Sequence, residues 1–199
     1  MKSAPKPKKI AVLPSSFPFI KPKLLIKESD VVKVGTPLFK DKQDPRLVYL
    51  SPAGGKIKQI KYGARRVVEE IVITVDKEEA FESFPKLSTE QLNQTSHEEI
   101  VSMLVNGGLW SHFTEYPFHN IPSPDTKPPS IYVSLDQDEP HMPQSKFFLK
   151  DNVEMLRYGL KILKRLTNNK VYIGVSSSNS DLKSLLRDIV THEIEGDYP

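Results

Sequence analysis

The 199-residue chain contains no cysteine, which excludes disulfides and any cysteine-ligated iron–sulfur or zinc site within these residues. The five histidines, His97, His112, His119, His141 and His192, show no metal-ligand spacing such as His-Glu-x-x-His. Redox chemistry would therefore need a bound organic cofactor or a partner. No apolar run approaches the roughly 20 residues that cross a bilayer, and the N-terminus lacks the apolar stretch of a secretory signal. Glycine is scarce where it would matter: "NGGLWSHFTEYPF" places Gly107 and Gly108 after an apolar helical stretch, and the next glycine is Gly159. A dinucleotide or flavin phosphate rests on several backbone N–H groups at a helix start, and only glycines let the backbone come that close. Leu109 and Trp110 fill that space, so the stretch argues against nucleotide binding.

What is present reads as an ordinary soluble globular composition, 38% hydrophobic and 27% charged. The net charge of +3 hides an asymmetry: residues 1–66 carry 16 Lys and Arg against 4 Asp and Glu, while residues 67–149 carry 4 against 14. A basic end of this kind can meet anionic lipid, nucleic acid or an acidic partner, or simply be a solvated surface. Its basic residues lack the interleaved aromatics of a single-strand binder, so no nucleic acid is expected.

Along the chain, "MKSAPKPKK" (1–9) is expected to be a disordered basic tail. Short apolar runs separated by turn residues then predict an all-β domain over 10–80, with period-two alternation in Lys56-Ile57-Lys58-Gln59-Ile60 and in Ile71-Val72-Ile73-Thr74-Val75. A linker is expected over 81–95. Ser96 and Glu99 form a capping box for a helix whose apolar stripe is Ile100, Met103 and Leu104, with Gly107 closing it. Pro117, Pro122, Pro124, Pro128 and Pro129 make the next stretch a wrapped loop. "SIYVSL" (130–135) predicts a buried strand, and Asp151 a cap for a helix with Val153, Leu156, Leu160 and Leu163 on one face. "KVYIGV", "DLKSLLRDI" and "VTHEI" complete a strand–helix–strand–helix–strand order that calls for a parallel sheet. The serines at 176–178, with Asn179 and Ser180, read as a helix-capping loop. The expected fold is α+β overall: the all-β domain, then an α/β domain over 96–199 that looks unfinished at three strands.

"VKVGTPL" and "SPAGGKI" resemble the half-motifs of the barrel-sandwich fold of biotinyl and lipoyl domains, in which a modified lysine sits on a hairpin tip. Lys42 falls near that tip, without the flanking residues a modifying ligase recognises. It is read either as a carrier lysine or as an unmodified surface residue. A more specific resemblance comes from the ordered set "VKVGTPLFKDKQDP", "SPAGGKIKQIKYGARRVVEEIVITVD", "LVNGGLW…PF…IP" and "LTNNKVYIG". Together these resemble the A component of the sodium-translocating NADH:quinone oxidoreductases, over about residues 10–199. The final "HEIEGDYP" falls where that family reads a Gly-x-x-Pro-Ala-Gly turn, so the chain is expected to be a fragment. It departs from the family in lacking an N-terminal "GLDLPI", in Thr114 and Tyr116 standing where two arginines precede Pro-Phe, and in Leu135–Pro140 replacing "MDTNP".

The resemblance implies an incomplete Rossmann-like second domain, similar to the flavin subunit of complex I but without FMN or an iron–sulfur cluster. It also implies a peripheral subunit on the cytoplasmic side of the bacterial inner membrane. Its complex would couple NADH oxidation by ubiquinone to sodium export, and its neighbour would be the quinone-site membrane subunit. The isolated chain is then non-catalytic and holds no cofactor tightly. On that basis Trp110, Phe113, Tyr116 and Phe118 form either a flat apolar wall for a quinone ring, with His112 or His119 bonding a carbonyl, or a cover for the helix end. Arg65 and Arg66 are candidates for a lipid-headgroup or partner-carboxylate contact, or an exposed hairpin turn.

Overall fold

The computed structural model describes residues 5–135, 143 and 145–195. His141, the 136–140 departure from the family pattern and the end of "HEIEGDYP" from Gly196 lie outside them. Contacts gather into two compact units, Met1–Lys86 with Val101–Thr126, and Leu87–Ile100 with Lys127–Pro199.

Among the described residues the first unit is built on seven strands: β1 (Lys9–Val12), β2 (Pro22–Leu24), β3 (Val31–Val32), β4 (Pro37–Asp41), β5 (Val48–Leu50), β6 (Gly55–Tyr62) and β7 (Val68–Val75). They pair antiparallel in two sheets, β1-β7-β6-β3 and β2-β4-β5. Leu38, Phe39, Ile57, Ile71 and Ile73 are fully enclosed, each burial contributing roughly 1.5–3 kcal/mol. Phe39 and Tyr49 stack at 4.6 Å, with Phe17 edge-on to Tyr49 at 4.5 Å. The alternation expected through Lys56–Ile60 breaks: Ile57 and Ile60 are both buried while Lys58 and Gln59 both face out. The cause is a bulge, a register shift between Ile57 and Gln59 against β7, which inserts one unpaired residue. Gly55, at φ +154°, is required here because a Cβ would run into the Thr74 carbonyl.

The basic tail expected over 1–9 is anchored from Lys6 onward. The Lys6 ammonium donates to the carbonyls of Asp76 and Lys77 at 3.1 Å and pairs with Glu79 at 2.7 Å, and β1 then begins at Lys9. The grouping of the middle of the chain also differs from the expected division. The 81–95 segment holds a helix, α1 (Thr89–Gln94), closed by a Ser88–Gln91 capping box. Val101–Thr126 gathers with the β-rich unit, because the residues that follow the next helix find their partners on the β4–β5 hairpin.

The second unit contains α1, the first turn of α2 (His97–Asn106), β8 (Ile131–Ser134), α3 (Ser145–Leu149), α4 (Val153–Leu166), β9 (Val171–Ser176), α5 (Ser180–Leu185) and β10 (His192–Ile194). The strands form the expected parallel sheet, in the order β10-β9-β8. Leu160, Val171, Ile173, Val175, Leu182 and Leu186 make its core, and Val153, Leu156 and Leu163 of the predicted stripe pack against it. Two expectations change. Strand β8 is half-exposed rather than buried, with Tyr132 76% exposed, because Ile131 and Val133 pack on the core while Tyr132 and Ser134, alternating with them, face away from it. Asp151 does not cap α4: Asn152 holds the N-cap position and gives its amide to Phe148 O at 2.8 Å instead. The serine-rich loop does cap a helix, Asn179 accepting from the Leu182 N–H at 3.2 Å.

Candidate functional site

The site begins at the end of α2. Its capping box forms as expected, the Ser96 hydroxyl accepting from Glu99 N–H at 3.2 Å and the Glu99 carboxylate from Ser96 N–H at 2.9 Å. At the other end Gly107 is the C-cap and Gly108 takes the left-handed conformation, φ +68°. Leu109 N–H donates to Leu104 O at 2.9 Å and Gly108 N–H to Val105 O at 3.0 Å, the paired bonds of a Schellman close. A Cβ on Gly108 would stand 2.8 Å from Leu50 Cγ. The glycines thus end a helix against strand β5.

A 3₁₀ turn, Trp110–His112, follows. Trp110 is 4% exposed, its indole N–H donates to Pro122 O at 2.8 Å, and Phe113 packs on it at 5.1 Å. The chain then makes a small antiparallel loop. Glu115 N–H donates to Asn120 O at 2.8 Å and His119 N–H to Glu115 O at 2.9 Å. At its tip Tyr116 and Phe118 are 77% and 74% exposed, and the His119 ring stands edge-on to Tyr116 at 4.6 Å. The structure therefore splits the predicted wall. Trp110 and, in part, Phe113 are packing at the loop's base, while Tyr116, Phe118 and His119 stand out in solvent. His112 is exposed as well.

The loop's return is held by an ion pair that sequence reasoning missed. Arg46, between β4 and β5, donates to both oxygens of Asp125 at 2.8 and 2.9 Å and to both oxygens of Asp44 at 2.9 and 2.7 Å. These hydrogen bonds hold the Asp44 and Asp125 carboxyls below the usual carboxylate range and raise Arg46 above its ordinary value. Between this hairpin, the β1–β2 connection and the aromatic loop lies a cleft of about 580 Å³. Phe19, Ile20, Leu47 and Ile121 give it apolar walls, and Asp41, Asp44 and Glu115 are its charged residues. The Asp41 carboxylate is engaged by the Lys21 and Gln43 N–H groups at 3.0 and 3.1 Å. Phe19, 72% exposed and at φ 61°, stands at the rim as a third projecting aromatic. No sequence signal joined it to the loop.

Arg65 and Arg66 lie on the 3₁₀ turn Ala64–Arg66 between β6 and β7, at φ 55° and 58°, both exposed. Lys42 is exposed directly after β4, its N–H tied to Lys21 O at 2.9 Å. Among the described residues no cluster of His, Asp or Glu could hold a metal ion, and no helix is long and apolar enough to cross a membrane.

Two antiparallel sheets packed as a barrel-sandwich hybrid, continued by an α/β domain with three parallel strands among the described residues, define the class of protein. The NqrA N-terminal barrel-sandwich hybrid domain matches residues 1–76, and the NqrA second alpha/beta domain matches residues 95–199. The chain belongs to the NqrA family. It is similar to the A component of the Na(+)-translocating NADH-quinone reductase of Yersinia pseudotuberculosis, at 31% identity over 190 residues. The proteins of the same name from Pasteurella multocida and Neisseria meningitidis serogroup B are 32% and 33% identical over the same length. Each alignment covers 96% of this chain and 42% of the relative, so the chain spans about two-fifths of the length of the proteins it matches. The carrier reading of Lys42 gains no support from these matches.

Proposed function

We propose that the chain serves as a peripheral, non-catalytic part of a sodium-translocating NADH:quinone reductase, on the cytoplasmic side of the bacterial inner membrane. Its aromatic loop is the contact to the quinone-site membrane subunit. The relatives' name supports the complex. One observation supports the contact: Tyr116, Phe118 and His119 project from a loop whose base is fixed by Trp110 and by the Arg46–Asp125 fork. A rigid base with exposed aromatic tips is how a scaffold presents a binding loop. In this reading Tyr116 and Phe118 offer rings to a ubiquinone headgroup or to apolar side chains beside it, and His119 offers a hydrogen bond. The chain holds no FMN or iron–sulfur cluster and binds nothing tightly on its own. Electrons pass through partner subunits. Arg65 and Arg66 make a secondary contact to a partner carboxylate or a lipid headgroup.

The absence of cysteine makes a direct test simple. Thr114→Cys, exposed beside the tip, takes a photo-crosslinking maleimide without altering the aromatics. Added to membranes that hold the complex and irradiated, it is expected to form an adduct with a membrane-embedded subunit. Lys150→Cys in the second unit is expected to form none, and Tyr116→Ser with Phe118→Ser to abolish the adduct. Equal labelling from both positions would sink the contact.

A further inference from the structure

The outer face of the four-stranded sheet has a composition that neither its own stability nor the aromatic loop explains. Register places Lys9 of β1 opposite Thr74 of β7, Thr74 opposite Lys56 of β6, and Lys56 opposite Val31 of β3. Residues directly opposite share a face. All four are exposed, Val31 at 78%. The neighbouring row runs Ala11–Val72–Gln59, and the bulge adds Lys58 between the rows, exposed as well. No carboxylate stands in either row. The first one along β7 is Glu70, and Lys61 pairs with it. With strands ~4.8 Å apart and ~3.3 Å of rise per residue, the carboxylate-free area is about 15 Å by 10 Å.

Lys9, Lys56 and Lys58 have no carboxylate partner among the described residues, as is also true of Lys21, Lys23 and Lys40 of the same unit, while Lys6, Lys33 and Lys61 each have one. Lys9 and Lys58 lie against each other, and the Lys9 ammonium holds Lys58 below the usual lysine range. Two ammonium groups side by side on a solvated sheet repel, and an anion placed between them relieves that repulsion.

We propose that this face docks on an anionic bilayer surface, with Lys9, Lys56 and Lys58 meeting phosphate headgroups. The cleft beside the aromatic loop is lined by none of these residues. The charges of the face are lysines, compact point charges without the planar fork that arginine uses for fixed bidentate pairing. The residues among them are uncharged: Ala11, Val31, Gln59, Val72 and Thr74. Mobile headgroups suit such a surface, since they need attraction and no fixed geometry. The face carries no aromatic on which a nucleobase would stack. This proposal goes beyond the aromatic-loop contact and does not rest on it.

The test is co-sedimentation of the full chain with vesicles of phosphatidylcholine alone and of phosphatidylcholine mixed with phosphatidylglycerol. Binding is expected only to the mixed vesicles. It should fall between about 0.1 M and about 1 M salt, as the screening length shortens from about 10 Å to about 3 Å. Each surface lysine is worth roughly a fivefold change in binding, so Lys9→Gln, Lys56→Gln and Lys58→Gln together are expected to weaken it on the order of 100-fold. The triple Lys→Arg variant keeps the charge and is expected to bind as the parent does, which separates lost charge from lost fold. Lys127→Gln, Lys150→Gln and Lys170→Gln remove the same charge elsewhere and are expected to leave most of the binding. Equal loss from both glutamine triples, or equal binding to both vesicles, would overturn the proposal. So would binding to polyglutamate with none to vesicles, which would assign the face to an acidic protein.

Discussion

Trp110 and Tyr116 stand six positions apart in one loop, yet the first is 4% exposed and the second 77%. The difference does not lie in residue type, since both are aromatic with a polar handle. It lies in what each finds: Trp110 meets the Pro122 carbonyl and the Phe113 ring, whereas Tyr116 stands against the His119 ring across the loop and otherwise faces solvent for most of its surface. One half of the stretch is therefore foundation and the other half is what the foundation holds out. Aromatics close in sequence need not form one surface.

Substitutions should widen that contrast. The largest effect is expected from Trp110→Ala, which empties a packed site and leaves the Pro122 carbonyl unpaired. A loss of about 3–5 kcal/mol should appear in urea unfolding followed by far-ultraviolet circular dichroism. Gly108→Ala comes next. A left-handed alanine costs roughly 1–2 kcal/mol, and the Cβ at 2.8 Å from Leu50 Cγ adds to it. Its unfolding midpoint should drop while Gly159→Ala, whose Cβ would meet nothing within 4 Å, leaves stability unchanged or raised. The smallest effect belongs to Tyr116→Ser with Phe118→Ser, expected to stay within about 0.5 kcal/mol of the parent. A loss as large as that of Trp110→Ala would mean that the tip is structural after all, and the comparison would collapse.

Much of this was legible in the sequence, because it depends on near neighbours. The Ser96–Glu99 capping box, the α4 stripe, the turn at Arg65–Arg66 and the parallel order of the second domain follow from local spacing. What was not legible depends on distant partners. Arg46 and Asp125 are 79 positions apart, and nothing in either neighbourhood announces the other. The grouping of Val101–Thr126 with the β-rich unit rests on that fork and on Gly108 against Leu50. Phe19 and the cleft it borders were missed for the same reason. Asp151 failed as a cap because Asn152, one position on, occupies the helix start.

The bulge between Ile57 and Gln59 has a meaning for how this sheet can change over evolutionary time. In a regular strand, adding an outward side chain means moving an inward one, so surface and core are locked together. At Lys58 they are uncoupled: Ile57 and Ile60 keep their places inside while the strand presents one extra residue to the outside. That position can gain or lose charge without any adjustment beneath it.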